Sequence, residues 1–500
     1  MKTCLIGLDV GTTSTKAVIF NHHGEELART ASPPYRIYTP HPGWVEQDPE
    51  ELWGAVLHVL KELISKVGED VQVKAISIAA QSGSLLPADI SGNPVYPLIT
   101  WMDGRTHDLV REWRESEIRS LVRTISGWSL YPGLCLPTIA WLRLYDEQTF
   151  AAARHYFSVN DFIVHRLTGE FISNPSNAGG MQLVDIHTAQ WSEPLCTLAG
   201  ITPSQLSTIK PSSAIIAEIK PEIATATGLS KDTILVNGGH DQSCTALGLG
   251  IIEPGKLLLA CGTAWVFTGV RDSAEMECIP ATLDINFHAV SERWAVSQSL
   301  GGLGASLEWW LNQAWLDSEA KHSQQQRFDK LNAEMAQTSP RVGLFFVPLT
   351  GGHDDPATTR TGGFVGLQLA HSRADMARAI MESAAFELRW ALDALTAAGM
   401  PVEALSMVGG AANSPYWPGI LANVTAVPIH LPEYDNWPAL GAAILAGLGS
   451  RIYESTSDAL HLFQKPYRVI NPEPLVVSSY DVAFNDYIHI YPALSEINSR

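Results

Sequence analysis

Cys4–Val10 is almost wholly apolar, Gly11-Thr12-Thr13-Ser14-Thr15 interrupts it, and Lys16–Phe20 resumes it. Asn21-His22-His23-Gly24 then turns the chain into Glu25–Thr30. Short apolar runs separated by turn residues predict a β-meander, not a strand feeding a helix. Asp48-Pro49-Glu50-Glu51 has the form of a helix start: Asp as N-cap, Pro at the first position, acids in the first turn. The helix is expected to run to about Val67, with Trp53, Val56, Leu57, Leu60, Leu63 and Ile64 on one face. Val73–Ala80 predicts a buried strand that ends in Gln81-Ser82-Gly83-Ser84.

The second half repeats the opening pattern. Thr233–Asn237 predicts a strand ending in Gly238-Gly239-His240-Asp241, followed by a helix over Ser243–Leu249. Lys256–Ala260, Gly262-Thr263 and Trp265–Val270 again read strand, Gly-Thr turn, strand. The two Gly-Thr turns begin at 11 and 262, so 251 residues, about half the chain, separate them. That spacing points to two similar domains. Ser372 with Asp375 forms a capping-box start for a long helix that Gly399 closes. Met407–Gly410 predicts a strand into a Gly-rich turn, and Ala439–Leu448 a helix of small residues able to approach backbone closely. The expected domains are 1–250 and 251–455, with a C-terminal segment 456–500 that the pattern does not place.

Composition narrows the class. The chain has 500 residues, 46% hydrophobic and 17% charged, enough apolar material for two cores. No run of eighteen apolar residues occurs, and the N-terminal apolar stretch is short and holds Asp9, unlike a signal peptide. A cytoplasmic protein is therefore expected. The net charge of −19 repels phosphate backbones and anionic lipid, so neither nucleic acid nor membrane is expected as a partner. Six cysteines form no CxxC pair and are expected as buried thiols.

Four short Gly-rich turns follow apolar strands: Gly11-Thr12-Thr13, Gly238-Gly239, Gly262-Thr263 and Gly409-Gly410-Ala411-Ala412-Asn413. None is a Walker A loop or a G-x-G-x-x-G helix start. Glycine lets an anion approach the backbone N–H groups, so such turns can cradle phosphate oxygens, though each alone is as well explained by ordinary turn chemistry. Asp9 and Asp241 lie beside two of them. A carboxylate there can hold hydrated Mg2+ or take a proton from a hydroxyl; an ordinary cap role is the alternative for each.

The order D-x-G-T-T-x-x-K, then G-G-x-D, then G-T, then G-G-A-x-N resembles the FGGY family of carbohydrate kinases, from Leu5 to about Gly449. Pro42–Pro49, Trp101-Met102-Asp103-Gly104-Arg105, Arg166–Glu170 and Ser176-Asn177-Ala178 look like family segments. Gly362-Gly363-Phe364-Val365-Gly366-Leu367, followed by Asp375–Glu382, satisfies the family's C-terminal signature. The resemblance implies an α/β fold of two ribonuclease-H-like domains, mixed sheets flanked by helices, with an active-site cleft between them. It also implies ATP-dependent phosphorylation of a neutral sugar or polyol at a terminal hydroxyl, with a ketose such as a pentulose as substrate. By the same resemblance Asp241 is the general base and Asp9 the carboxylate that holds Mg2+ through water. Gly11, Thr12, Thr13 and Lys16 match the first phosphate loop, and Gly262 and Thr263 the second. Gly304, Glu308, Gly410 and Asn413 match the adenosine side. Gln81, Ser82, Gly83, Trp101, Asp103, Asp241 and Gln242 are expected at the sugar.

Gln81-Ser82-Gly83 stands where xylulose kinases carry Gln-Met-His-Gly, which implies a roomier pocket or a different polyol. Thr138 replaces a usual Lys, Gln242 follows the expected base, and His353-Asp354-Asp355-Pro356 replaces Gly-Glu-Arg-x-Pro. Kinases of glycerol, erythritol or gluconate are thus rival readings. So is a sensing protein on the same fold, although a sensor needs no base. Trp101 is the tryptophan expected near sugar, whereas Trp265, Trp309 and Trp310 are expected to pack in cores. His240 is expected as a structural neighbour of Asp241. A homodimer is one assembly such a chain admits.

Overall fold

The computed structural model describes residues 2–68, 70–277, 279–314, 323–337, 343–353 and 362–498. Cys278 and Asp354-Asp355-Pro356 lie outside them. In the first lobe β1 (Lys2–Val10), β2 (Thr15–Asn21), β3 (Glu26–Ala31), β4 (Val71–Ala80), β5 (Ile215–Glu218) and β6 (Ile234–His240) form one sheet in the order β5-β6-β4-β1-β2-β3. In the second, β7 (Gly255–Cys261), β8 (Trp265–Arg271), β9 (Asp284–Phe287), β10 (Trp294–Gly301), β11 (Val402–Val408), β12 (Ile429–Pro432) and β13 (Tyr467–Ile470) run in the order β9-β10-β8-β7-β11-β12-β13.

The halves share one scheme. β1 pairs antiparallel with β2 and parallel with β4, and β7 likewise with β8 and β11. Both Gly-Thr turns therefore occupy the same place, between the first two strands of each sheet. Residues 4–10 of β1, 75–80 of β4 and 235–239 of β6 are buried throughout because helices cover both faces of the sheet. α1 (Pro49–Ser65) packs against β2 on one face. Its Asp48 cap accepts the Glu50 N–H at 2.8 Å, a contact worth about 1 kcal/mol.

Two boundaries differ from the sequence reading. β6 continues through Gly238-Gly239 instead of stopping at Asn237. After a register shift it pairs again with β4, Gly239 opposite Ala79 and His240 opposite Ala80. The following helix, α2 (Asp241–Gly248), consequently begins at Asp241, with His240 in the cap position. Strand pairing across the sheet overrides the local turn propensity of the glycine pair.

α3 (Arg373–Ala397) has the expected Ser372–Asp375 capping box with both reciprocal bonds present. α4 (Trp437–Gly449) is the small-residue helix, and it packs against β1, β4, β6 and α2 of the first lobe. A Cβ on Gly441 would lie 1.9 Å from the Cys244 carbonyl oxygen, so only glycine permits that approach. A helix from the second half of the chain thus seals the first sheet. The segment the pattern left unplaced serves both lobes: Phe463 packs against Phe20 of the first, ring centroids 5.2 Å apart, while in the second β13 pairs antiparallel with β12 and the Tyr480 hydroxyl donates to Glu382 on α3 at 2.8 Å. No helix among the described residues is long and apolar enough to cross a membrane.

Candidate active site between the lobes

β1, β4 and β6 are parallel neighbours that end in register, Val10 opposite Ala80 and Ala80 opposite His240. The next residue of each, Gly11, Gln81 and Asp241, therefore leaves the sheet at one edge. Asp9 lies one position further in and is 7% exposed. Burial raises its pKa to about 7, the nearby Asp241 charge adds to the rise, and Lys16, opposite Asp9 on β2, opposes it. Asp241 opens α2 with its side chain 30% exposed, and His240 Nε2 lies 3.0 Å from its Oδ1. His240 is thus a neighbour that orients this carboxylate.

Thr12 is the hub of the first turn. Its Oγ1 donates to Gln81 Oε1 at 3.2 Å and accepts Trp101 Nε1–H at 3.0 Å. Gln81 Nε2 also donates to the Gly11 carbonyl at 3.3 Å. Trp101 remains 42% exposed with its ring nitrogen anchored in this way. Thr13 is exposed. Two supports escaped the sequence reading: Gln47 Nε2 donates to the Thr12 carbonyl at 2.8 Å, and Ser84 Oγ donates to Gln81 Oε1 at 3.1 Å. Gln47 falls inside Pro42–Pro49, so family likeness marked its segment but not its role.

Across the cleft, β7 and β11 end side by side, Ala260 opposite Val408. Gly262, Thr263, Gly304, Glu308, Gly410 and Asn413, far apart in sequence, line one cavity of about 560 Å3. Its wall also holds Phe328, Asn332, Met381 and Trp417, which sequence reasoning missed. Met381 belongs to the recognised C-terminal signature. For Phe328 and Asn332 the chain carries no local signal. Trp265 is fully buried, 5.0 Å from the Trp417 ring, consistent with core packing.

Three residues expected at the sugar have other duties. The Asp103 carboxylate is fully buried and accepts from the Val45 N–H at 2.6 Å, from the Arg105 N–H at 2.9 Å, and from Arg105 Nε and Nη2 at 2.8 and 2.9 Å. Its lone pairs are taken, so it shapes the loop beneath Trp101 instead of meeting a ligand. Gly83 has φ +83°, and a Cβ there would lie 2.5 Å from Leu134 Cδ2 and 3.2 Å from Trp101 Cβ. It is a turn glycine and no place for a specificity side chain. Gln242 Oε1 accepts from Thr268 on β8 at 3.1 Å, which ties α2 to the second lobe. Ser82, by contrast, has a buried hydroxyl without a hydrogen-bond partner among the described residues.

Two lobes of one design, with carboxylates on one rim and a large cavity behind the matching turn on the other, define a nucleotide-dependent phosphotransferase. Residues 4–248 match the FGGY family of carbohydrate kinases, N-terminal domain, and residues 258–450 the C-terminal domain. The chain belongs to this family and is a carbohydrate kinase that phosphorylates a sugar or polyol with ATP. It is 28% identical over 463 residues to the xylulose kinase of Escherichia coli (strain K12), covering 91% of this chain and 92% of that one. The gluconokinase of Bacillus subtilis (strain 168) is also 28% identical, over 454 residues, 89% of this chain and 87% of that one. The crystal structure of xylulose kinase from Rhodospirillum rubrum matches with a TM-score of 0.90 at 27% identity, covering 99% and 100% of the two chains.

Proposed function

We propose that the acceptor is a neutral ketose such as a pentulose, phosphorylated at a terminal hydroxyl with Asp241 as general base. The observation that carries this reading is the ending of β1, β4 and β6 in register, which brings Asp241 beside Gln81 and the Thr12 turn. Gln81, Ser82 and Trp101 carry no positive charge, and Arg105, the cation of this loop, is spent on Asp103 and Glu46. Such a lining suits hydroxyls better than the carboxylate of a sugar acid. The names of the xylulose kinase relatives favour the same class. Asp241 takes the hydroxyl proton as that oxygen attacks the γ-phosphorus in line, while His240 holds the carboxylate in position. The 560 Å3 cavity accommodates adenosine, and the N–H groups of Thr12, Thr13, Gly262 and Thr263 meet the phosphates with the Thr13 and Thr263 hydroxyls, while the Gly11 N–H donates to the Ser14 carbonyl and shapes the first turn.

Asp9 fits a divalent cation. Its carboxylate is buried beside a second carboxylate, and both its pKa of about 7 and its partial compensation by Lys16 mark a place where added positive charge is favourable. Asp9 would hold Mg2+, which would supply charge neutralisation for the transferring group. The two domains of this reading are 1–250 and 251–455, and the protein is taken to be cytoplasmic.

The deciding experiment is a coupled ADP-release assay over ketoses, aldoses, polyols and aldonates. The highest kcat/KM is expected with a ketopentose. Preference for an aldonate would overturn the neutral-ketose assignment.

A further inference from the structure

A second cavity, of about 380 Å3, shares no lining residue with the nucleotide cavity. Arg114, Arg119, Ser120, Arg123 and Ser129 line it from the first lobe, and Thr282 lines it from the segment just before β9 in the second. Arg119 and Arg123 stand four residues apart on the helix Ile118–Ser126, so they share a face. None of the described residues lining the cavity is a carboxylate, a local reversal in a chain of net charge −19.

The charges here are incompletely offset. Arg119 is exposed, and its side chain makes no ion pair or hydrogen bond among the described residues. Arg123, 18% exposed, donates to the carbonyls of Gly127 at 2.9 Å and Pro280 at 3.4 Å, and to Asp284 Oδ1 at 3.2 Å. Carbonyl partners satisfy its geometry without cancelling its charge. Burial lowers the Arg123 pKa from its usual value, with Asp284 opposing, as expected for a cation short of counter-charge. Asp284 is shared further, accepting the Ser129 N–H at 2.8 Å and the Tyr131 hydroxyl at 2.9 Å.

We propose that this cavity is an anion site bridging the two lobes, and that its ligand is a phosphate dianion, free or as a monoester. Guanidinium groups meet phosphate oxygens in a planar fork, and the Thr282 hydroxyl can complete the shell, while those of Ser120 and Ser129 donate to the Glu117 and Ala281 carbonyls at 2.9 and 3.4 Å. The volume lies within the small-ligand range, so it has room for the carbon skeleton of a phosphorylated sugar as well as for the phosphate.

Isothermal titration calorimetry on the full chain tests this, with MgADP saturating so that the nucleotide loops are occupied. Inorganic phosphate and glycerol 3-phosphate are the two probes, each against wild type, Arg119→Ala and Arg119→Glu. At least one probe is expected to bind wild type at millimolar concentration. Loss of a charged hydrogen bond should weaken it about tenfold or more in Arg119→Ala, and charge reversal should abolish it. ADP affinity and thermal midpoint should stay unchanged in both variants, since Arg119 is exposed. Tighter binding of the ester than of free phosphate would assign a phosphorylated metabolite, and equal binding would assign phosphate itself. Binding in Arg119→Glu equal to wild type, or no binding of either probe to wild type, would overturn the proposal.

Discussion

In the first lobe the strand before the turn ends Asp9-Val10-Gly11-Thr12; in the second, Ala260-Cys261-Gly262-Thr263 stands in the same place of the same strand-turn-strand unit. The backbone device is shared and the electrostatics are not. Asp9 brings a buried carboxylate next to Asp241, whereas the second lobe has Ala260 in its place and Cys261 lines the 560 Å3 cavity. The first turn is also braced by side chains, Thr12 to Gln81 and Trp101, while the second opens on space. On the proposed function, duplicated scaffolds divide one reaction: one turn serves charge and acceptor, the other the nucleotide.

The largest effect should come from the residue with no counterpart in the second lobe's cavity. Asp241→Asn keeps the shape of the side chain and removes its ability to accept a proton, so kcat should fall by about 10²–10⁴-fold. ADP affinity by calorimetry should change little. A folded Asp241→Asn protein with near wild-type turnover would reduce Asp241 to a first-turn helix residue.

Asp9→Asn removes the charge that distinguishes the two turns. The rate should drop and the Mg2+ requirement should rise, as read from initial rates over a magnesium series. The same variant has a signature in stability. A carboxyl whose pKa rises from 3.8 to about 7 on folding contributes stability that is full below pH 3.8 and lost as pH climbs through 7. Asp284, at about 6, and Glu382, at about 7, act in the same direction because both are buried. The thermal midpoint of nucleotide-free wild type should therefore fall between about pH 4 and 7 and level off above that, and the fall should be shallower in Asp9→Asn. Parallel pH profiles would mean that Asp9 is not held in this state.

A matched pair compares the turns directly. Thr263→Val should raise the KM for ATP and leave the sugar KM alone. Thr12→Val should disturb both constants, because Thr12 Oγ1 also holds Gln81 and Trp101. Equal kinetic profiles for the two variants would erase the division between the lobes.

The smallest expected effect lies at Ser82, whose buried hydroxyl has no partner among the described residues. If a substrate hydroxyl supplies one, Ser82→Ala should raise the sugar KM about fivefold, the loss of roughly 1 kcal/mol, with ATP constants unchanged. An unaltered sugar KM would move the acceptor away from β4. Substitution at Gly83 cannot answer this question, because its positive φ and its contact with Leu134 would strain the turn.

Much of this molecule is determined by sequence alone. The Gly-Thr turns, the caps at Asp48 and Ser372 and the small-residue stretch near 440 follow from local chemistry, and each appears where that chemistry puts it. The list of candidate residues came from the resemblance to the FGGY family, since each Gly-rich turn alone is as well explained by ordinary turn chemistry.

Only the tertiary structure decided which of these polar groups are already paired within the protein. Asp103 sits in a family motif, yet its lone pairs are consumed by Arg105 and Val45, a fact set by loops brought together in space. The end of β6 at His240, and hence the position of Asp241 at the head of α2, depends on pairing with β4, more than 150 residues earlier in the chain. The cavity walls at Phe328 and Asn332 and the sealing of the first sheet by α4 rest likewise on contacts between distant segments. Local pattern reports what a short stretch prefers; partners hundreds of residues away settle burial, register and which polar atoms remain free.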